Sequence, residues 1–169
     1  VVGHVNLARG YRGGERQTEI LFRELADRGV AQRLVARRGE SLASRMRGVP
    51  GLEVQGVGWP FLPSIGALRG CDVLHGHDGR APALTALAAR RFSVPVVLTR
   101  RIQAAPSRRS LRAYRTATAL VGLSTGVADT LARTSGHRDV RVIPSALAGL
   151  PHDEGMVTRL RAKYAGRFL

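Results

Sequence analysis

The chain has 169 residues, of which 44% are hydrophobic, and these values are typical of one globular domain with its own core. No apolar run approaches the roughly 20 residues that a membrane-spanning helix needs, and the single cysteine excludes an internal disulfide. The first residue opens directly into a strand pattern with no charged leader, so we expect no signal peptide and a cytoplasmic protein.

The charge is strongly positive. Lysine and arginine number 27 against 12 acidic residues, which gives a formal net charge of +15. Lys163 is the only lysine, so nearly all of the positive charge is arginine. Two interpretations stay open: an anionic partner such as phosphate, nucleic acid or a lipid surface, and a coding bias that favours arginine on solvated faces.

Strand and helix signals alternate along the whole chain. Short apolar runs predict strands at 1–7, 30–36, 52–57, 72–76, 95–99, 119–123 and 140–143. Amphipathic segments predict helices at 14–29, 40–47, 64–68, 81–92, 111–117, 124–134 and 153–164. In the helix at 81–92, we expect Leu84 and Leu87 to face the core.

This alternation predicts right-handed crossovers and a parallel sheet that is covered on both faces. We therefore expect an α/β fold, a Rossmann-like three-layer sandwich with a mainly parallel sheet of about seven strands. Residues 1–150 are expected to form this domain. Residues 151–169 are expected to form a linker helix and the start of a second domain, because 166–169 indicate a turn followed by a new strand.

Gly13 and Gly14 lie between the first predicted strand and the first predicted helix. A glycine turn here puts free backbone N–H groups and the positive end of a helix at the edge of the sheet. Such a position suits a phosphate or diphosphate. Glycines after a strand also occur in turns that need a positive φ only to redirect the chain. The sequence therefore predicts a phosphate-binding loop.

Ligands of open parallel sheets bind beyond the carboxyl ends of the strands. The residues that follow the predicted strands are polar or basic more often than a sheet edge requires. They are Gly13, Gly14, His75, His77, Asp78, Arg80, Arg100, Arg101, Ser124 and the turn Pro144-Ser145. We expect them to converge at one edge of the sheet and to bind a negatively charged ligand there.

The run His75-Gly76-His77-Asp78 follows the fourth predicted strand. Alternation places His75 and His77 on the same side of the sheet. We expect His75 to pack in the sheet, Asp78 to cap the next helix, and His77 to contact a ligand at the rim. A metal site with His77 and Asp78 is the alternative, but no further pair has ligand spacing, so the sequence predicts no metal.

Arg100 and Arg101 end the fifth predicted strand. A guanidinium there can clamp a phosphate or a carboxylate through two parallel hydrogen bonds. Alternation lets only one of the two side chains face the cleft comfortably.

The helix at 111–117 is rich in arginine, and Ser107 or Ser110 is expected to cap it. Its basic residues are Arg108, Arg109, Arg112 and Arg115. They are consistent with an anionic membrane surface or with an ordinary solvated face. Ser124 is interpreted as a helix cap rather than a nucleophile, because the Gly-x-Ser-x-Gly spacing is absent.

The series of motifs resembles the amino-terminal half of GT-B glycosyltransferases, in particular the retaining group called family 4. The similar stretches are RGGERQ at 12–17, DVLHGHD at 72–78, VPVVLTRR at 94–101, ALVGLSTGV at 119–127 and VIPS at 142–145. Each motif alone is loose, but the series of five matches the family in order and spacing across nearly the whole chain.

The resemblance implies two Rossmann-like domains that face a cleft, the first for the acceptor and the second for most of the nucleotide-sugar. It implies that Gly13 and Gly14 approach the donor diphosphate, and that His77 is the catalytic residue that contacts the transferred sugar near its reacting carbon. The acceptor-binding residues would be Arg12, Asp78, Arg80, Arg100 and Arg101.

The implied reaction is the retaining transfer of a hexose-type sugar to a lipid or to a cell-envelope glycan such as lipopolysaccharide. The nucleotide-sugar is a co-substrate, and neither a cofactor nor a metal is expected. The other expected partners are the second domain of the same polypeptide and an anionic membrane surface at the inner face of the cell membrane. Because the family's diphosphate clamp and paired glutamates belong to the second domain, this chain alone is expected to be inactive.

Two other functions remain as alternatives. One is a non-catalytic α/β module that binds a nucleotide or another phosphorylated ligand. The other is nucleic-acid binding driven by charge, which the sequence disfavours because it has no recognised motif and only 5% aromatic residues for base stacking.

Overall fold

The computed structural model describes residues 1–146 and 153–165. Within these residues, the strands β1 to β7 are Val2–Asn6, Gln32–Arg37, Leu52–Val57, Val73–Gly76, Val96–Arg100, Ala119–Gly122 and Val140–Val142. The helices α1 to α6 are Gly13–Asp27, Ser41–Met46, Ala81–Phe92, Arg108–Thr116, Thr125–Ser135 and Glu154–Lys163. A 3-10 helix covers Leu62–Leu68, where the sequence predicts a short helix at 64–68.

The seven strands form one sheet in the order β3-β2-β1-β4-β5-β6-β7, and every neighbouring pair is parallel. The central strands β1, β4, β5 and β6 are short and largely buried, as expected for a parallel sheet that is covered on both faces. The predicted Rossmann-like α/β fold is therefore confirmed.

Two cores lie on opposite faces of the sheet. The first lies under α3, α4 and α5 and contains Leu74, Leu98 and Tyr114. The second lies under α1 and α2 and contains Phe22 and Met46. This arrangement gives the three layers that the alternating pattern predicts.

Close packing on the sheet depends on glycine at the end of β6. A Cβ atom added to Gly122 would lie 2.8 Å from the backbone nitrogen of Ala128 in α5. The missing side chain therefore lets the first turn of α5 sit directly against the end of β6.

Polar caps begin two of the helices as the sequence predicts. The Ser107 hydroxyl accepts from the Ser110 backbone N–H at the start of α4. The Ser124 hydroxyl accepts from the Val127 backbone N–H at the start of α5, which confirms its role as a cap.

The prediction that Leu87 faces the core is wrong. Leu84 is 7% exposed, but Leu87 is 44% exposed and lies on the outer side of α3. None of the residues of α6 is buried. The expected domain boundary at 150/151 and the expected strand start at 166–169 lie outside the described residues. No helix in the described part of the chain is long and apolar enough to cross a membrane.

Candidate functional site

The order in which the chain adds strands to the sheet changes direction between β1 and β4, which are neighbours in the sheet. β2 and β3 follow on one side of β1, whereas β4 to β7 follow on the other. The loops that leave the carboxyl ends of β1 and β4 therefore separate and open a crevice. In open parallel sheets this switch point is where ligands bind.

The loop after β1 ends in the glycines that begin α1. Arg12 is the N-cap, and its backbone N–H donates to Glu15 Oε2 at 3.0 Å. Among the described residues, no group accepts from the N–H groups of Gly13 and Gly14. These N–H groups and the positive end of the 15-residue helix α1 are available to an anion.

The chain itself does not need glycine at these two positions. A Cβ atom on Gly13 would meet nothing within 4 Å, and one on Gly14 would meet only Arg101 Cδ, at an ordinary 3.8 Å. Neither residue has the positive φ that favours glycine. The missing side chains leave open space over the end of α1.

Arg101 follows β5 and crosses this space. Its Nη1 donates to the backbone carbonyl of His77 at 2.8 Å, and its Nη2 donates to Thr18 Oγ1 at 3.3 Å. It forms no salt bridge in the part of the chain that the structure describes. Burial lowers the pKa of Arg101, and the nearby carboxylates of Glu15 and Asp78 counteract this effect. Its charge is therefore only partly compensated within the protein.

His77 lies deeper than the sequence predicts. His77 is 3% exposed, so it lies beneath the rim of the sheet and not on the rim. His75 is on the same side, as alternation requires, and the two rings are in contact, with centroids 3.9 Å apart and planes tilted by 39°. His77 Nδ1 is buried and has no hydrogen-bond partner among the described residues.

Asp78 ties the ends of β1 and β4 together. Its carboxylate accepts from the backbone N–H groups of Leu7 at 2.9 Å and of Arg80 at 3.0 Å. Burial raises the pKa of Asp78, and these hydrogen bonds lower it in part. The N-cap of α3 is Arg80, so the expectation that Asp78 is the cap needs correction: Asp78 holds the turn that precedes the helix.

Arg100 and Arg101 have different roles in the structure. Arg100 is 8% exposed, its Nε donates to the carbonyl of Ala104 at 2.8 Å, and its guanidinium lies 5.9 Å from the centre of the Tyr114 ring. These contacts hold the loop between β5 and α4. The geometry therefore favours Arg101 as the cation that a ligand meets.

Some of the predicted rim residues converge on one cavity, namely Gly14, His77, Asp78, Arg100 and Arg101. A cavity of about 160 Å³ is lined by Gly14, His77, Asp78, Gly79, Thr99, Arg100, Arg101, Ile102 and Tyr114. Ser124 and Ser145 are exposed nearer to β6 and β7 and do not line this cavity.

A second groove continues the site along the other side of Arg101. It has a volume of about 260 Å³, and Gln17, His75, Thr99 and Ser145 are among its lining residues. The Gln17 amide forms two hydrogen bonds with the backbone of Ala146, one at 2.9 Å and one at 2.7 Å. These bonds fix the segment after β7 against α1 and close one end of the groove.

Arg12 and Arg80 are exposed at the mouth of the site, and neither forms a salt bridge within the described residues. Arg80 lines a separate cavity of about 290 Å³ together with Trp59, which is 81% exposed, and Leu87. The two arginines therefore flank the crevice and do not enter it.

His4 is the residue that sequence reasoning missed. It lies on β1 directly opposite His75 of β4, and its Nδ1 is 3.0 Å from Nε2 of His77. Three imidazoles thus share one cluster, in which His4 and His77 are buried and His75 is partly buried, with candidate ligand atoms within 4.8 Å of one another. The register of β1 against β4, which the sequence does not show, is the only signal that would have predicted it.

The fold is shared with solved glycosyltransferases. HepE from Anabaena, solved with UDP, superimposes with a TM-score of 0.74 at 14% identity, over 96% of this chain and 49% of HepE. A glycosyltransferase from Rickettsia africae gives a TM-score of 0.69 at 17% identity, over 96% of this chain and 48% of that protein. MurG from Acinetobacter baumannii gives 0.59 at 16% identity, over 85% and 44%.

The chain spans about half the length of these structures. No curated protein matches it in sequence. A sequence profile described as Glycosyltransferase Family 4 matches residues 11–147, which is most of the chain. The chain therefore belongs to Glycosyltransferase Family 4, and its domain has the Rossmann-like fold of the GT-B enzymes.

Proposed function

We propose that the complete protein transfers a sugar from a nucleotide-sugar to an acceptor, and that residues 1–150 form its amino-terminal domain. One observation carries the proposal: the free N–H groups of Gly13 and Gly14 and the only partly compensated cation of Arg101 meet at the switch point of the sheet. This combination suits a doubly charged leaving group such as a nucleoside diphosphate.

The donor is proposed to place its diphosphate over the end of α1. The N–H groups of Gly13 and Gly14 would donate to phosphate oxygens, and Arg101 would exchange its two neutral acceptors for the anion. The proposal assigns the stabilisation of the leaving group to these groups and not to a metal ion. HepE is solved with UDP-glucose, which supports a UDP-hexose as the first donor to test.

His77 is proposed to act on the transferred sugar. Departure of the diphosphate leaves positive charge on the sugar ring. Burial, followed by His75, His4 and Arg101, lowers the pKa of His77 well below its ordinary value, so the imidazole is neutral at physiological pH. A neutral imidazole can hydrogen-bond a sugar hydroxyl without adding a second positive charge beside the reacting carbon. Retention of configuration is proposed from the resemblance to retaining family members.

The acceptor is proposed to be an anionic cell-envelope glycan or a phosphorylated lipid, bound between Arg12, Asp78 and Arg80. The exposed arginines of α4 support this proposal, because they form no salt bridge among the described residues. They are Arg108, Arg109, Arg112 and Arg115. They would hold the protein against the anionic inner face of the cytoplasmic membrane.

A second domain is proposed to complete the cleft and to bind most of the nucleotide. This chain alone would then bind donor weakly and transfer no sugar. Sugar transfer by the isolated chain would contradict this part of the proposal.

The experiment is a transfer assay on the complete protein, with UDP release measured across a panel of nucleotide-sugars and anionic acceptors. Gly14→Val fills the space over α1 and should lower kcat/KM by about 100-fold or more, which is the loss of a few charge-assisted hydrogen bonds. Gly58→Val is the control, because a Cβ on Gly58 meets nothing within 4 Å and one on Gly14 meets only Arg101 Cδ at an ordinary 3.8 Å. Equal activity of both variants, or tight UDP binding without transfer to any acceptor, would overturn the proposal.

A further inference from the structure

An apolar groove lies beside the candidate site, between the segment that follows β3 and helix α3. Its volume is about 290 Å³, and Trp59, Leu62 and Leu87 are among its lining residues. The three residues are 81%, 59% and 44% exposed. Large apolar side chains that are exposed together in a concave surface mark an interaction site. We call this surface the Trp59 groove.

The Trp59 groove has one cation and no carboxylate in its described lining. Arg80 is its only charged residue. The Arg80 side chain is exposed and forms no salt bridge in the part of the chain that the structure describes. A guanidinium in this state can bind a phosphate through two parallel hydrogen bonds.

The remaining lining favours an alkyl chain over a sugar. Apart from Arg80 and the indole N–H of Trp59, the side chains of the groove are apolar. A sugar ring would lose the hydration of several hydroxyl groups here and find few hydrogen-bond partners in exchange, which costs free energy. An alkyl chain gains free energy from the same contact, because it leaves water for an apolar surface.

Asp78 connects the Trp59 groove to the candidate site. Its carboxylate accepts from the backbone N–H groups of Leu7 and Arg80, and both of these residues line the groove. Asp78 itself lines the cavity that contains His77. A head group held at Arg80 is therefore next to the cavity in which the transferred sugar is proposed to lie.

The aromatic wall of the groove is already held in place without a ligand. The rings of Trp59 and Phe61 meet edge to face, with centroids 5.6 Å apart. Phe61 packs against the core under α3, and the Arg37 guanidinium lies 5.2 Å from the centre of its ring. A preformed wall lowers the entropy cost of binding.

We propose that the Trp59 groove binds the alkyl chain of a phosphorylated lipid, with the lipid phosphate at Arg80. The identification of this lipid as the acceptor rests on the proposed function, and it narrows the acceptor to phosphorylated lipids and excludes lipid-free glycans. The groove also gives a physical reason for a leucine at the exposed position 87, where the helical pattern alone predicts a core residue.

The test uses the fluorescence of Trp59, which is the only tryptophan in this sequence. Dodecyl phosphate, kept below its critical micelle concentration, is titrated into the complete protein, and the difference from Trp59→Phe isolates the signal of this side chain. We expect the emission of Trp59 to move to shorter wavelength and to saturate. From octyl to decyl to dodecyl phosphate, the affinity should rise by about three- to fourfold per methylene group. No change in the Trp59 signal, or an affinity independent of chain length, would overturn the proposal.

Two variants test the apolar wall and the cation separately. Leu87→Gln should weaken the binding of dodecyl phosphate by roughly 5- to 10-fold, whereas Leu160→Gln on α6, where the leucine is 43% exposed, should not change it. Arg80→Gln should weaken it by about 10-fold, and Arg90→Gln, at the other end of α3 and also exposed, is its control. Equal effects of variant and control would contradict the site. Dodecyl maltoside bound as tightly as dodecyl phosphate would contradict the role of Arg80.

Iodide quenching of the ligand-free complete protein tests whether another part of the assembly occupies the groove. We expect Trp59 to be accessible to iodide and to become protected when dodecyl phosphate binds. Protection without the lipid would overturn the proposal, and sedimentation velocity would then assign the cover to a second copy of the protein or to its own second domain.

The transfer assay separates this inference from the proposed function. Transfer to a lipid-free glycan, with Leu87→Gln as active as the parent protein, would overturn the lipid as acceptor and leave the proposed sugar transfer intact. The absence of transfer to any acceptor would contradict the proposed function, whereas the lipid site is decided by the binding of dodecyl phosphate.

Discussion

Arg101 Nη1 donates to the backbone carbonyl of His77 at 2.8 Å, so a partly buried cation is held by a neutral oxygen. A carboxylate partner would stabilise the guanidinium far better, but none lies within salt-bridge distance among the residues that the structure describes. Such a cation gains energy when an anion binds beside it, because the cost of its burial has already been met by folding. This relationship is the physical basis of the predictions on binding.

Arg101→Gln should weaken the binding of UDP to the complete protein by roughly 10- to 100-fold, the range expected for one lost hydrogen bond to a charged group. The stability of the folded state should change little, because the lost contacts are to neutral oxygens and the burial of a charge is relieved. Isothermal titration calorimetry measures the affinity. Arg109→Gln on the exposed face of α4 is the control. UDP binding by Arg101→Gln as tight as in the parent protein would contradict the role of Arg101.

Substitution by alanine should lower the stability of the folded chain at Gly122 but not at Gly13. Gly122→Ala places a Cβ 2.8 Å from the backbone nitrogen of Ala128 and should cost about 1–3 kcal/mol of stability. Gly13→Ala meets nothing within 4 Å and should leave stability unchanged or slightly higher. Urea unfolding followed by circular dichroism measures both variants. Equal destabilisation would show that the chain itself needs the glycine loop.

Glu19 should contribute more to stability than its neighbours on α1. Its carboxylate accepts from Arg45 Nε at 2.7 Å, Tyr11 Oη at 2.5 Å and Arg23 Nη2 at 2.9 Å. Burial raises the pKa of Glu19, but these hydrogen bonds outweigh it and bring the pKa to about 2. Glu19→Gln should cost about 1–3 kcal/mol.

The matched control for Glu19 is Glu24→Gln on the same helix. Glu24 and Arg28 are both exposed and lie 3.8 Å apart, so this change should cost less than about 0.5 kcal/mol. Unfolding midpoints in urea compare the two variants. A cost for Glu19→Gln no larger than that for Glu24→Gln would contradict the importance of the buried carboxylate.

The histidine cluster should make the protein acid-sensitive. His4 and His75 have pKa values of about 3 and about 4 in the folded chain, because burial is the largest effect on both. In the unfolded chain a histidine titrates near 6.5, so below that pH the unfolded state binds protons that the folded state does not. The free energy of unfolding should therefore fall from about pH 6.5 toward pH 4, by up to about 1.4 kcal/mol per pH unit for each ring.

Urea unfolding at neutral pH and at about pH 5 measures this dependence. His4→Gln should weaken it, whereas His137→Gln, a change outside the cluster, should leave it unchanged. A free energy of unfolding that stays constant over this range would contradict the burial of neutral rings.

The sheet, the order of its helices and most of the rim were predictable because they depend on local patterns. The Ser107 and Ser124 caps follow from side-chain chemistry within one turn of helix. The convergence of Gly14 and Arg101 follows from the rule that parallel strands end at one edge. Each of these signals is contained in a short stretch of sequence.

His4 and the depth of His77 were not predictable in the same way. The contact between them spans 73 residues and depends on the register of β1 against β4. The distinction between Arg100 and Arg101 likewise depends on where the next loop runs, since Ala104 captures the first guanidinium. Leu87 shows the same limit, because only the packing of α3 decides which of its leucines is covered.

The most direct test is the structure of the complete protein with an intact nucleotide-sugar bound. We expect diphosphate oxygens within hydrogen-bond distance of the N–H groups of Gly13 or Gly14 and of the Arg101 guanidinium, with the sugar beside His77. A diphosphate that contacts only the second domain, with Arg101 still bound to the carbonyl of His77, would contradict the account.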